Sequence, residues 1–517
     1  MENSSNKRLA KNTLFLYIRM ILIMLVSLYT SRIVLEELGV DDYGVYTVVG
    51  GVVAMFAFIN GSMTSSTQRF LNFELGKGVT PRLSKLFRTA LTIHALIGVV
   101  MLILAETVGL WFVNAKLVIP ADSLIGANVV YQTSVLSFCI TIMQVPFNAT
   151  IIAHEKMSIY AYISIIEVLL KLSIAVSLMI VPTHKLAIYG VLILVVHFIT
   201  ASIYAIYCLR KYSECSLRFC YDRDMFKEMS GFAGWNLCGS IAWIVRLQGM
   251  GIILNIFFGP VLNAAKGISD QVAGAVNQLN NNFQVALNPQ ITKSYAQEKL
   301  QEMEVLTYRG IKFSSLLLLV MIVPLSININ FILNLWLTTV PDYTPIFVIL
   351  ILADVLSGNL FGSPLMASLS ATGKIRNYQI IVSAILLMIL PVAYLLLKSG
   401  FAPESIFYAN IVLNIIAGIT RFQFCRKQLG YSFATFTKSV VLPVIMVSVL
   451  SSTVMIVTKH YLFAEDNIFS FCVTTVTGIA ITMATGWYLA FSQTERAAIV
   501  NLAKKIYNNK IRNGKSM

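Results

Sequence analysis

Runs of about twenty predominantly apolar residues recur along almost the whole chain, each long enough to carry an α-helix across a hydrocarbon layer ~30 Å thick. They fall near residues 13–35, 45–66, 89–113, 124–150, 158–181 and 186–209, then near 229–258, 267–291, 310–335, 345–371, 378–398 and 405–425, and finally near 438–458 and 467–491. A backbone amide in hydrocarbon has no water to bond, so each run must close its own hydrogen bonds as a helix. The expectation is an all-α integral membrane protein of about fourteen transmembrane helices. Composition agrees: of 517 residues, 57% are apolar and 12% charged. That is roughly half the ~25% charged fraction of a soluble domain, too little polar surface to cover a globule in water.

The net charge of +15 does not point to nucleic acid, because the basic residues sit in short clusters between the apolar runs. With fourteen spans, alternate loops face the same side. One side carries only Arg32, Lys116, Lys185, Lys266, Lys398 and Lys459, and Arg19, Lys171 and Arg246 lie within spans. The remaining basic residues and both termini share the other side, expected to be cytoplasmic by the positive-inside rule. The first apolar run is broken by Arg19 and lacks a small-x-small cleavage site, so it reads as a retained helix rather than a signal peptide. The expected location is the inner membrane, as a multi-pass protein.

Several function classes drop out. The outward loops are at most about a dozen residues long, leaving no room for extracytoplasmic catalytic groups. No Walker A sequence, HExxH spacing or nucleophile elbow occurs, so neither an enzyme nor a nucleotide-driven pump is expected, and no cofactor. The seven cysteines form no framework. Cys215 and Cys220 share a basic loop without a neighbouring histidine and read as free thiols rather than a metal site.

The chain carries signs of duplication. Leu38–Gly39 closes the first span and Phe258–Gly259–Pro260 the seventh, 220 residues later. Lys85–Arg88 opens the third span and Tyr308–Phe313 the ninth, at nearly the same offset. This predicts an N-lobe over 1–210, a cytoplasmic linker over 211–228, a C-lobe over 229–425, and two appended helices with a basic tail over 426–517. Two-lobe transporters place the substrate path between such halves.

Polar residues inside the spans are the candidate site, because an amide or charge facing lipid is costly. In the eighth run Asp270, Gly274, Asn277, Asn281, Gln284 and Asn288 recur at three- and four-residue steps, which aligns them on one helix face. Their amides both donate and accept, which suits sugar hydroxyls in a water-filled cavity; amide contacts between packed helices are the competing reading. Arg246, near the middle of the seventh span, has no acid on its own helix and fits an anionic substrate group or a pair with an acid elsewhere. Arg19 is a second cation in the first span. Glu167 and Lys171 are spaced as a helical ion pair. They and Asp354 are the candidate coupling residues, with His94 and His197 as further titratable groups. Pro146, Pro324 and Pro364 mark places where a span can bend.

The opening KNTLFLYIRMILIMLVSLYTSRIVLEELGVDDYGVY, with its Leu-Gly-x-x-x-Tyr-Gly-x-Tyr pattern at Leu38, Gly39, Tyr43, Gly44 and Tyr46, and the later STQRFLNFELGKG from Ser66 to Gly78, resemble Wzx-type polysaccharide and O-antigen flippases. These belong to the multidrug/oligosaccharidyl-lipid/polysaccharide exporter superfamily. The resemblance implies two six-helix lobes around a cationic cavity. It also implies movement of an undecaprenyl-diphosphate-linked oligosaccharide from the cytoplasmic to the periplasmic leaflet by alternating access, in O-antigen, capsule or exopolysaccharide synthesis. Arg19 and Arg246 match the family's intramembrane arginines. A glycan polymerase and other surface-polysaccharide assembly proteins are the implied partners besides membrane lipids. The alternative is a cation-coupled multidrug exporter of the same superfamily, in which Asp354 or Glu167 outranks Arg246.

Overall fold

The computed structural model describes residues 2–75, 81–154, 156–462, 467–493 and 495–497. The side chains of some helical residues, Arg19 and Asn281 among them, lie outside the described residues. Among the described residues there is no strand. The helices in chain order are α1 Glu2–Ala54, α2 Ala57–Leu75, α3 Pro81–Leu104, α4 Leu110–Lys116, α5 Leu124–Ala153, α6 Met157–Ser177, α7 Lys185–Lys211, α8 Arg223–Phe258 and α9 Val261–Ala296. They continue as α10 Leu300–Ile327, α11 Ile329–Trp336, α12 Thr344–Leu360, α13 Ser363–Ala371, α14 Arg376–Leu387, α15 Ile389–Lys398, α16 Ser405–Leu429, α17 Phe433–Phe436, α18 Leu442–Leu462 and α19 Ile468–Thr485.

Among the described residues, eleven helical segments are individually long and apolar enough to cross a membrane, and a twelfth arises if Met20–Ala54 and Ile59–Leu71, which meet at 47°, form one broken span. Fourteen were expected, and the difference falls on three segments. The eighth run lies in α9, which is long enough but so rich in amides that its hydropathy is low. The first two runs are not separated by a loop at all. α1 is helical on both sides of Gly39, the one residue inside it with non-helical torsions (φ 77°, ψ 171°). The outer loop expected between Arg32 and Tyr43 is therefore absent: the acids that read as loop are helix residues, and two of them have partners. Glu37 pairs with Lys185 at 2.7 Å, and Asp42 accepts from the Ser123 hydroxyl at 2.5 Å. Lys266, expected in an outer loop, likewise sits inside α9.

The torsions at Gly39 belong to a region open almost only to glycine, which lacks the clashing Cβ. Gly259, 220 residues on, ends α8 with nearly the same pair (φ 75°, ψ −166°). Gly44 answers a different demand. A Cβ there would lie 2.0 Å from the Pro260 carbonyl oxygen, so the helix after Gly39 crosses the start of α9 in backbone contact. Gly267 repeats the device further along α9, where a Cβ would stand 2.9 Å from Thr47. Small residues at such crossings let membrane helices pack without a hydrophobic driving force.

The helices gather into two compact units. One comprises Met1–Gln271, Asn334–Phe347 and Ser383–Ala409; the other comprises Val272–Leu333, Val348–Val382 and Asn410–Met517. In the first, Val45, Val48, Val49 and Val52 of α1 pack with Leu83 and Leu86 of α3, Val130 and Tyr131 of α5, and Met225 and Met229 of α8. Each unit also holds a buried cysteine that bonds to a carbonyl about sixty residues earlier. Cys208 Sγ lies 3.4 Å from the Phe147 carbonyl in the first, and Cys425 Sγ lies 3.8 Å from that of Leu365 in the second. The basic segment after α7 is folded down by specific contacts: His154 with Glu214 at 2.6 Å, Arg88 with Ser216 at 2.8 Å, and Lys85 with Asp222 at 2.6 Å. Asp222 caps α8 through the Met225 amide, and the Lys85 ammonium and that amide hold its carboxyl below the usual range.

Candidate functional site

Each unit contains polar side chains within its apolar helices. In the first, Glu167 and Lys171 of α6 form the ion pair their spacing predicts, at 2.7 Å, with both side chains about one-third exposed. Lys171 acts electrostatically on Tyr46 of α1, and both members of the pair act on His197 of α7. Tyr46 and Tyr189 stand edge-on with ring centres 5.0 Å apart. The pair is thus part of a cluster joining α1, α6 and α7. Tyr43, buried one helical turn before Tyr46, accepts a hydrogen bond from Gln271 at 3.0 Å. His94 is fully buried, its Nδ1 2.6 Å from the Ala90 carbonyl of its own helix.

Arg246 of α8 is 0% exposed. Its guanidinium carbon lies 4.9 Å from the ring centre of Trp243, one turn earlier, an arrangement in which the ring face attracts the cation, and the side chain makes a further interaction besides. The charge expected to line an open hollow is enclosed by protein in this conformation. Asp270 is engaged elsewhere: it accepts from Lys266 at 2.6 Å, with the lysine buried and the aspartate exposed.

The amide stripe of α9 divides. At about 100° per residue, Gln284 lies ~40° to one side of Asp270 and Gln278 ~80° to the other. The boundary between buried and exposed runs between them. Asp270, Gly274 and Gln278 are exposed, and Asn277 and Asn288 are half-buried. Gln284 is buried, as is Asn280, which sequence reasoning did not single out. The Asn359 carbonyl oxygen on α12 accepts from Gln284 at 2.8 Å and from Asn280 at 3.0 Å. Its amide donates to Ser314 and Ser315 of α10, at 2.9 Å each. This knot ties α9, α10 and α12 through one side chain, so Gln284 has an amide partner where a cavity-lining role was expected. Asn281 belongs to the same stripe but its side chain lies outside the described residues, as does that of Arg19.

Asn359→Ala removes the hub and leaves four buried polar side chains short of a partner. Each such loss costs ~1–3 kcal/mol, so the variant is expected to melt at least several degrees lower in detergent. An unchanged melting temperature would show that the knot contributes nothing to cohesion.

The second unit holds two further arrangements. Asp354 of α12 accepts from Asn414 of α16 at 2.8 Å. The span containing Pro364 is broken just before that proline, between α12 and α13, and the Phe361 carbonyl at the break accepts from buried Arg421. By charge counting alone Arg421 belongs with the cytoplasmic-side cations. The single hint of its burial is the apolar run around it, while nothing in the order of residues pairs Asn359 with α9. Pro146 continues inside α5, and Pro324 lies near the end of α10. Among the described residues, no group of His, Cys, Asp or Glu side chains is arranged to hold a metal ion.

No protein-family model matches the sequence, and no curated protein does. Solved structures do match. The lipid II flippase MurJ in an inward closed conformation superposes with a TM-score of 0.69 at 11% identity, over 92% of this chain and 98% of that one. An inward-facing multidrug resistance MATE transporter of the MOP superfamily matches with a TM-score of 0.63 at 13% identity, over 81% and 98%. The MATE multidrug transporter DinF-BH, in a ligand complex, matches at 0.58 and 14% identity, over 82% and 95%. At these identities the likeness is one of fold: a multi-pass helical membrane protein that shares the fold of these solved structures.

Proposed function

We propose that this chain is a flippase that carries a lipid-diphosphate-linked oligosaccharide from the cytoplasmic to the periplasmic leaflet of a bacterial inner membrane, for O-antigen, capsule or exopolysaccharide assembly. The observation that carries the reading is the reach of the fold match. The likeness to a lipid flippase extends over 92% of the chain, against 81% and 82% for the two multidrug transporters. The N-lobe of 1–210 and C-lobe of 229–425 would act as its moving halves. The matching turns at Gly39 and Gly259 and the matching contacts of Cys208 and Cys425 support that duplication. The folded segment between the lobes, both termini and the basic tail would face the cytoplasm.

In this reading Arg246, together with Arg19, meets the diphosphate or an acidic sugar once a conformational change uncovers it. Asp270, Asn277 and Asn288 on the accessible side of α9, and Asn281 of the same stripe, bind sugar hydroxyls, with Gln284 at the edge of that set. Asp354 and the Glu167–Lys171 pair are the coupling groups. A glycan polymerase would take the product.

The Asp354–Asn414 contact favours one second reading, a cation-coupled multidrug exporter, because it places a titratable carboxylate inside a span. One experiment separates them. Depleting the chain in a polysaccharide-producing cell is expected to build up lipid-linked oligosaccharide on the cytoplasmic leaflet, shielded from externally added glycosidase. Normal surface glycan with increased drug sensitivity would reject the flippase and favour the exporter.

A further inference from the structure

A groove of about 570 Å³ lies wholly within the second unit, between α10, the start of α12 and α18. That volume falls within the ~300–1,000 Å³ of small-molecule sites. Its walls are mostly apolar, built by Leu319, Ile322, Val323, Ile349 and Ile456 with three serines among them, and Lys459 and His460 stand at one end. The Lys459 ammonium donates to the Ile327 carbonyl at 3.0 Å, which holds the charge at that end.

Two observations bear on what fills it. The faces of α18 around the groove are apolar and exposed, with Ile445 at 48%, Val449 at 60% and Val457 at 49%. Such a surface is immersed in hydrocarbon, so the occupant comes from the bilayer. The groove also has a definite depth. Ser448 and Lys459 both line it, eleven residues apart on one helix. At ~1.5 Å per residue that is ~17 Å, close to the ~15 Å of one leaflet, half of a ~30 Å core. A slot as deep as a leaflet, mostly apolar along its length and cationic at its end, has the charge and shape of one lipid molecule standing in place.

We propose that this groove holds a chain of an anionic bilayer phospholipid whose phosphate sits beside Lys459 and His460. The site goes beyond the proposed substrate path. Its charged end has no row of amides that would recognise sugar, and it selects by headgroup charge. By the positive-inside count Lys459 belongs to the sparsely basic side, so the lipid comes from the leaflet opposite the cytoplasm.

The test uses the full-length protein in detergent, incubated with phosphatidylglycerol or phosphatidylcholine of the same chain length, with bound lipid counted by native mass spectrometry. Phosphatidylglycerol is expected to be retained about fivefold better, the factor that ~1 kcal/mol per basic residue at a membrane surface converts to. Lys459→Gln should remove that preference while keeping chain binding, and Ser452→Trp should lower retention of both lipids by filling the groove. Melting temperatures of both variants report whether they remain folded. Equal retention of the two lipids, or retention unaltered in a folded Ser452→Trp protein, overturns the proposal. So does displacement of the lipid by inorganic phosphate, which would mean that the head alone binds. Displacement by a prenyl-diphosphate oligosaccharide would assign the groove to the transported molecule instead, and overturn the proposal too. None of these readings involves translocation, so their failure leaves the flippase proposal standing.

Discussion

Arg246→Lys is expected to cut translocation of a lipid-diphosphate-linked oligosaccharide at least tenfold while the protein still folds into the membrane. Lysine keeps the charge and most of the stem. It loses the planar fork that binds phosphate with two parallel bonds and lies flat against an aromatic ring. Arg246 is wholly buried against Trp243, so Arg246→Ala has a second consequence. It removes the cation–ring contact, worth ~2 kcal/mol when desolvated, and empties a fully buried site, so that variant should reach the membrane in lower amount. Translocation in reconstituted vesicles, read beside the melting temperature in detergent, separates the effects. A lysine variant that folds normally and transports at the parental rate would reduce Arg246 to a structural residue.

The second large effect is steric. Gly44→Ala would place a methyl group 2.0 Å from the Pro260 carbonyl oxygen. The obstacle is backbone rather than a flexible side-chain tip, so the helix crossing must open. Overpacking of this kind costs ~1–3 kcal/mol when neighbours can shift, and more when they cannot. The expected result is a melting temperature a few degrees lower, or no folded protein if the neighbours cannot shift. Gly50→Ala, in the same helix, meets nothing within 4 Å and should be neutral or stabilising, since alanine is the better helix former by ~1 kcal/mol. Equal behaviour of the two variants would remove the argument that Gly44 is needed for close approach.

These variants also mark how far the order of residues can be read. The Leu38–Gly39–Tyr43–Gly44 pattern is visible as a landmark, and the glycine's recurrence at Gly259 points to duplication. That Gly39 turns the chain within one residue, without a loop, depends on glycine's access to a torsional region whose use is not written in hydropathy. Glu37 and Asp42 beside it look like loop residues in any hydropathy profile, because Lys185 and Ser123, which satisfy them, are 148 and 81 positions away. The amide stripe of α9 is legible as a stripe. Which edge of it is buried is not, because helical periodicity sets angles around an axis and leaves open which neighbour stands at each angle.

By itself the sequence determined that the chain is helical and membrane-embedded, since runs of apolar residues that long admit no other way to close their backbone hydrogen bonds. It also determined where polar groups enter hydrocarbon and that Glu167 and Lys171 pair, a contact made within one helix over four residues. Tertiary structure alone decided which of those polar groups are consumed by partners. Asn359 captures Gln284 and Asn280 from 75 and 79 residues away, and the packing around α8 closes completely over Arg246. The reason is energetic: a polar group inside the bilayer must bond to something, and whether that partner is protein, water or substrate is settled by which helices pack beside it.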